Sequence, residues 1–123
     1  MHCIVTGGAG FIGSHLVDLL LASGDTVTVI DSMVAGRMKN LEENIGALTE
    51  FKHANLLEDG WQDLFAGADR VYHIAADPDV RGSARKSFEV YNNNVTATVR
   101  VLEAMKEHGV KEIVFASTAT VYG

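Results

Sequence analysis

An α/β fold on a doubly wound parallel sheet, five strands in the order 3-2-1-4-5, follows from three features of the sequence. Five short apolar runs, several of them β-branched, alternate with stretches of helical periodicity. Apart from the third, Thr49 to His53, the runs are mainly apolar rather than alternating, as strands covered on both faces are. A glycine-rich turn joins the first run to the first helix. Right-handed crossovers and the usual switch point then set the strand order.

The first strand is centred on Cys3-Ile4-Val5 and stops at Thr6-Gly7-Gly8. From Phe11 to Ser23 the residues Ile12, Leu16, Leu19 and Leu20 recur at helical spacing, Val17 and Leu21 widen the apolar face, and Gly24 stands where a C-terminal cap belongs. Thr26-Val27-Thr28-Val29-Ile30 is the second strand, closed by Asp31. Lys39 to Ile45 is expected as a short helix after a loop containing Gly36, Thr49 to His53 as a third strand, and Trp61 to Phe65 as another short helix. The turn Gly67-Ala68-Asp69 precedes a fourth strand, Arg70 to Ile74. The longest helix is expected over 84–108, with Phe88, Tyr91, Val95, Val99, Leu102 and Met105 as its apolar stripe, in core or interface packing. Gly109 ends it and Glu112 to Ala116 is the fifth strand.

The length of 123 residues suits one domain, residues 1–123, without linker, repeat or low-complexity stretch. With 47% hydrophobic and 21% charged residues, the chain is no disordered segment. A net charge of -6 argues against gripping nucleic acid by phosphate neutralisation. Cys3 has no partner for an intrachain disulfide. No signal pattern and no apolar run near the ~18 residues of a membrane span are present, so a cytoplasmic protein without membrane contact is expected.

The glycines at 7, 10 and 13 have the spacing G-x-x-G-x-x-G between a strand and a helix. One permits the tight turn, one lets a pyrophosphate approach the backbone, and one lets the helix pack on the sheet. The helix N-terminus then offers unpaired N–H groups to the phosphates. Asp31 stands 18 residues beyond Gly13, at the end of the second strand, where a carboxylate accepts from an adenosine ribose and disfavours a 2′-phosphate. The order strand, glycine turn, helix, strand, acid is Rossmann-type and points to NAD. Arg37, six residues on, has two readings: meeting a 2′-phosphate, which would blur the preference for NAD, or, the favoured one, lying over the adenine or in solvent. No G-x-x-x-x-G-K-[ST] supports a nucleoside triphosphatase.

Nearly the whole chain resembles the extended short-chain dehydrogenase/reductase family, and within it the NAD-dependent sugar-nucleotide epimerases and dehydratases. The resemblance is carried by residues 6–15 of the opening turn, Asp31-Ser32 with Gly36-Arg37, His73-Ile74-Ala75-Ala76, Asn94-Val95-x-x-Thr98, and the segment 117–123. That last segment is closest to its form in UDP-glucose 4-epimerases. The resemblance implies that Phe11 and Ile12 lie along the pyrophosphate and that Asp31 and Ser32 hold the adenosine ribose. It places Asn55-Leu56 beside the adenine, where the family usually has Asp before an apolar residue; Asn keeps hydrogen bonds but not the charge. Ile74, Ala75 and Ala76 would border the dinucleotide, and Asn93 would reach it from the long helix. Ala97 stands where the family often has Gly, which implies slightly wider helix packing.

The family's chemistry is transient oxidation of a sugar nucleotide by NAD+, with a Tyr base, a Lys that lowers its pKa and a Ser or Thr hydroxyl on the reacting oxygen. Thr118 matches the hydroxyl position. The Tyr and Lys come from a Y-x-x-x-K that this chain lacks: Tyr72 is followed by Ala76, Tyr91 by Val95, and Tyr122 only by Gly123. The resemblance therefore implies the N-terminal, NAD-binding portion of a UDP-sugar 4-epimerase, ended after strand five and inactive alone. The cofactor domain of a sugar-nucleotide dehydratase and a free-standing NAD-binding or redox-sensing module stay open. Self-association through the strand-five edge, or a homo-oligomer, is expected.

Single residues have plainer readings. His73 is expected as a satisfied core or loop histidine. His2, His15, His53 and His108 show no metal spacing with Cys or carboxylates, and no metal is assigned. Asp77 and Asp79, flanking Pro78, are solvated turn residues by default, with contact to the nicotinamide ribose or substrate as the alternative.

Overall fold

The computed structural model describes residues 1–122. Strands β1 (His2–Thr6), β2 (Thr26–Asp31), β3 (Glu50–His53), β4 (Arg70–His73) and β5 (Glu112–Phe115) form one parallel sheet in the order β3-β2-β1-β4-β5. Helix α1 spans Phe11–Ala22 and ends in a Schellman arrangement: Gly24, at φ 86°, donates to the Leu21 carbonyl, and the Asp25 N–H reaches back to Leu20.

Alternation along each strand divides the core. Cys3 and Val5 of β1, with Val27 and Val29 of β2, pack against Val17 and Leu20 of α1. Ile4, Ile30 and Val71 face the other way, against Trp61, Phe65, Val101 and Met105. Both faces of the central strands are covered, which explains their unbroken apolar runs.

Two expected helices are smaller than their sequences imply. Residues 39–45 form no α-helix; 3₁₀ turns lie at Met38–Leu41 and Ile45–Ala47 instead. Gln62–Phe65 is likewise a 3₁₀ turn, bringing Trp61 and Phe65 fully into the core.

The helix expected over 84–108 is corrected more deeply. It is divided into α3 (Ser87–Tyr91), a π turn at Asn92–Thr96 and α4 (Ala97–His108), and a separate short helix, α2 (Val80–Ser83), precedes it. Of the apolar stripe only Met105 is buried: Phe88 is 77% exposed, Val99 51% and Leu102 46%. The sheet receives Ala97, Val101, Ala104 and Met105. Small side chains let the helix approach closely, and a periodicity weighted by large apolar residues selects the opposite face.

Ala104→Leu is therefore expected to overpack the sheet interface and cost about 1–3 kcal/mol. Leu102→Gln should change stability by less than about 0.5 kcal/mol. Urea denaturation of the two variants distinguishes the faces, and the reverse ranking would contradict this assignment.

Candidate functional site

The connection from β1 to α1 is made as tightly as the backbone allows. Gly7 lies at φ 73°, and a Cβ there would come within 2.8 Å of the Ala75 nitrogen. A Cβ on Gly13 would strike the Gly7 carbonyl oxygen. Glycine at both positions sets the first turn of α1 directly over the carboxyl end of β1. Gly10 is the N-cap and supplies no capping side chain. The first-turn amides of Phe11, Ile12 and Gly13 lack intrahelical acceptors, and the side chains of Phe11 and Ile12 are exposed.

Asp31 ends β2 beside this turn and is only 8% exposed. One carboxylate oxygen accepts from the Ala9 N–H (2.9 Å), the other from the Met33 N–H (2.8 Å). The Ala9 carbonyl in turn accepts from the Arg37 N–H (3.0 Å) and the Asn40 amide (2.8 Å). The glycine turn and the loop after β2 are thus one hydrogen-bonded unit, with carboxylate lone pairs left over for a ligand. Arg37 itself is exposed.

The loop after β4 is held from the π turn that precedes α4. Asn94, in the π turn, accepts from the Asp77 N–H (2.7 Å) and donates to the Asp77 carbonyl (3.2 Å). A π turn rotates consecutive residues differently from an α-helix and is frequent at functional sites; here Asn93 faces the cleft while Asn94 grips its wall. Asp77 also borders the cleft, whereas Asp79 caps α2 by accepting from Gly82 (2.8 Å).

Beneath that loop, His73 is 1% exposed and doubly bonded: Nδ1 to Thr6 Oγ1 (2.7 Å), Nε2 to Thr98 Oγ1 (2.9 Å). Thr98 donates its hydroxyl proton to the Asn94 carbonyl, so its oxygen accepts from His73. The Ala75 N–H donates to Thr6 Oγ1 (3.2 Å), and the Thr6 hydroxyl points its proton at Nδ1. Every donor finds an acceptor only if His73 is the neutral Nε2–H tautomer. Burial accordingly lowers its pKa from 6.5 to about 4. The core reading of His73 is correct, and it adds a link between β1, β4 and the π turn.

Together these elements enclose a cleft of about 520 Å³ across the sheet's carboxyl edge. Every residue the sequence assigned to a cofactor lines it: Gly7, Gly10, Phe11, Ile12, Gly13, Asp31, Ser32, Gly36, Asn55, Leu56, Ile74, Ala75, Ala76 and Asn93. Val34, Ala35, Ala54 and Pro78 line it as well; single apolar loop residues carry no sequence signal for such a role. Ala97, noted for helix packing, also borders it. Thr118 lies beyond β5, exposed and outside the lining set, and Gly123, the end of its motif, is outside the described residues. Among the described residues no group of three His, Cys, Asp or Glu side chains could hold a metal ion, and no helix is long and apolar enough to cross a membrane.

Residues 3–123 match the NAD dependent epimerase/dehydratase family. The chain is 42% identical to UDP-glucose 4-epimerase of Halalkalibacterium halodurans, over all of this chain and 36% of that protein. It is 38% identical to UDP-N-acetyl-alpha-D-glucosaminuronate decarboxylase of Bacillus cytotoxicus, over 99% of this chain and 38% of that protein. UDP-glucose 4-epimerase from Bifidobacterium longum, solved with NAD+ and UDP, superposes with a TM-score of 0.91 at 35% identity, covering all of this chain and 38% of that one. The chain thus spans less than two-fifths of the length of these relatives.

His73 makes stability depend on pH. The unfolded chain protonates the imidazole first, so its contribution is complete above about pH 6.5 and is lost as pH falls toward 4, at most roughly 3 kcal/mol. Urea denaturation between about pH 7 and 5 should show a slope steeper in the wild type than in His73→Gln, by up to one proton. Equal slopes would contradict the buried neutral imidazole.

Proposed function

Since the chain belongs to the NAD dependent epimerase/dehydratase family, we propose that it is the NAD-binding portion of a sugar-nucleotide 4-epimerase acting on UDP-sugars. The observation that carries this reading is the cleft itself, where an uncapped helix N-terminus and a buried, backbone-held carboxylate flank one groove. The residues fit a dinucleotide. Gly13 leaves no side chain between the turn and the helix start, and Gly7 lets the turn lie against the Ile74–Ala75 backbone, so phosphate oxygens can meet first-turn amides. Asp31 accepts the hydroxyls of the adenosine ribose and repels a 2′-phosphate. Asn93 and Asp77 border the far end, where the nicotinamide ribose would lie. NAD+, when bound, supplies a reversible acceptor for a hydride from the sugar carbon. Thr118 is the hydroxyl assigned to the reacting oxygen; a Tyr-x-x-x-Lys pair is absent from this chain.

The 38% identity to a UDP-sugar decarboxylase supports a second reading, in which the same cofactor half serves a different conversion of a sugar nucleotide. Both readings place NAD+ in the same cleft.

A thermal-shift titration tests the cofactor assignment. NAD+ is expected to raise the melting temperature by an amount that grows with the logarithm of its concentration above the dissociation constant, and NADP+ to leave it unchanged. Asp31→Asn should reduce that discrimination. Equal shifts for both dinucleotides in the wild type would overturn the role given to Asp31. The purified chain alone should not interconvert UDP-glucose and UDP-galactose; measurable turnover would show that its own residues suffice for proton transfer.

A further inference from the structure

Helix α4 reaches the cleft from outside through Arg100. Its Nε–H donates to the Leu56 carbonyl (2.8 Å), and one terminal nitrogen donates to the Glu58 carbonyl (3.0 Å) and to Asp59 Oδ1 (2.6 Å). The Leu56 carbonyl and the Leu57 N–H are opposite edges of one planar peptide unit. That N–H donates to Asn55 Oδ1 (2.9 Å). A single peptide is therefore gripped on one edge by α4 and on the other by the side chain of Asn55, which lines the cleft. With Oδ1 committed to Leu57, the amide of Asn55 cannot turn over without setting N–H against N–H. Its NH2 group and one remaining Oδ1 lone pair are what a ligand meets.

The ion pair with Asp59 is the minor part of this contact. Asp59 is 91% exposed, and exposed pairs contribute little. The bonds to the two carbonyls hold the loop.

We propose that Arg100 is a positioning residue for the bound dinucleotide: by fixing the Leu56–Leu57 peptide it sets which edge of the Asn55 amide faces the ligand. This rests on the cofactor reading of the cleft. Asp31 at the end of β2 and Asn55 in the loop after β3 lie on the same side of β1, so the adenosine half is the half affected.

The test combines calorimetric binding of NAD+ and AMP with amide exchange by NMR, on the whole chain, for the wild type, Arg100→Ala, Arg100→Lys and Asp59→Asn. Arg100→Ala is expected to weaken NAD+ and AMP by a similar factor, about five- to tenfold, the worth of a hydrogen bond or two. Arg100→Lys should recover part of the loss, because an ammonium can still donate to one carbonyl. Asp59→Asn should stay within about twofold of the wild type. Without ligand, Arg100→Ala should speed exchange of the Leu57 amide and leave the Asp77 amide, on the opposite wall, unchanged. Wild-type affinity in Arg100→Ala, or equal acceleration at Leu57 and Asp77, overturns the proposal. If the wild type binds neither NAD+ nor AMP, the cofactor reading falls and the ligand part of this proposal falls with it. The Leu57 exchange then still decides whether Arg100 holds the peptide.

Discussion

The carbonyl oxygen of Gly7 lies so near the Cα of Gly13 that no side chain fits between the end of β1 and the start of α1. From that contact the rest of the site follows. It brings the positive end of the helix over the centre of the sheet, between the loops that leave β2 and β4. It also brings the turn within reach of Asp31, whose carboxylate binds the Ala9 amide, and of Arg37 and Asn40, which share the Ala9 carbonyl. A methyl group at Gly13 would push helix and strand apart and open those bonds together, and one at Gly7 would strike the backbone of Ile74 and Ala75 in the loop after β4.

The two walls of the cleft are held from a common element on the other side. Asn94 fixes the main chain of Asp77, and six residues along the same helical run Arg100 fixes that of Leu56. Between them Thr98 closes the chain of hydroxyls through His73 to Thr6. Each contact joins a side chain to loop backbone or to another buried polar group, so little in the cleft depends on exposed charge. Buried networks of this kind hold their geometry only when fully satisfied, and a neutral imidazole satisfies this one.

Legibility in the sequence was uneven for a physical reason. The glycine turn, Asp31 and the 73–76 segment are local: a glycine is required by the conformation of its own neighbours, and an acid at a strand end needs only that strand. Those positions were readable one by one. The division of 84–108 was not, because the π turn answers to Asp77 and His73, which lie elsewhere in the chain. Nor was the orientation of α4. Phe88, Val99 and Leu102 form a true apolar stripe, yet the sheet selects Ala97 and Ala104 because closeness of approach outweighs size of side chain. That stripe leaves an apolar surface on the helix, and β5 adds Phe115 at 55% exposure on the sheet's edge.

Strand identity, strand order and the nature of the ligand cleft belong to the linear sequence, since each rests on periodicity or on motifs a few residues long. Which face of α4 is buried, which tautomer His73 adopts and which peptide Arg100 grips belong to the folded chain. Arg100 and Leu56 are 44 residues apart, and no spacing rule connects them. Local sterics can be read from neighbours in sequence. A hydrogen bond between a helix and a distant loop exists only once the sheet has brought the two together.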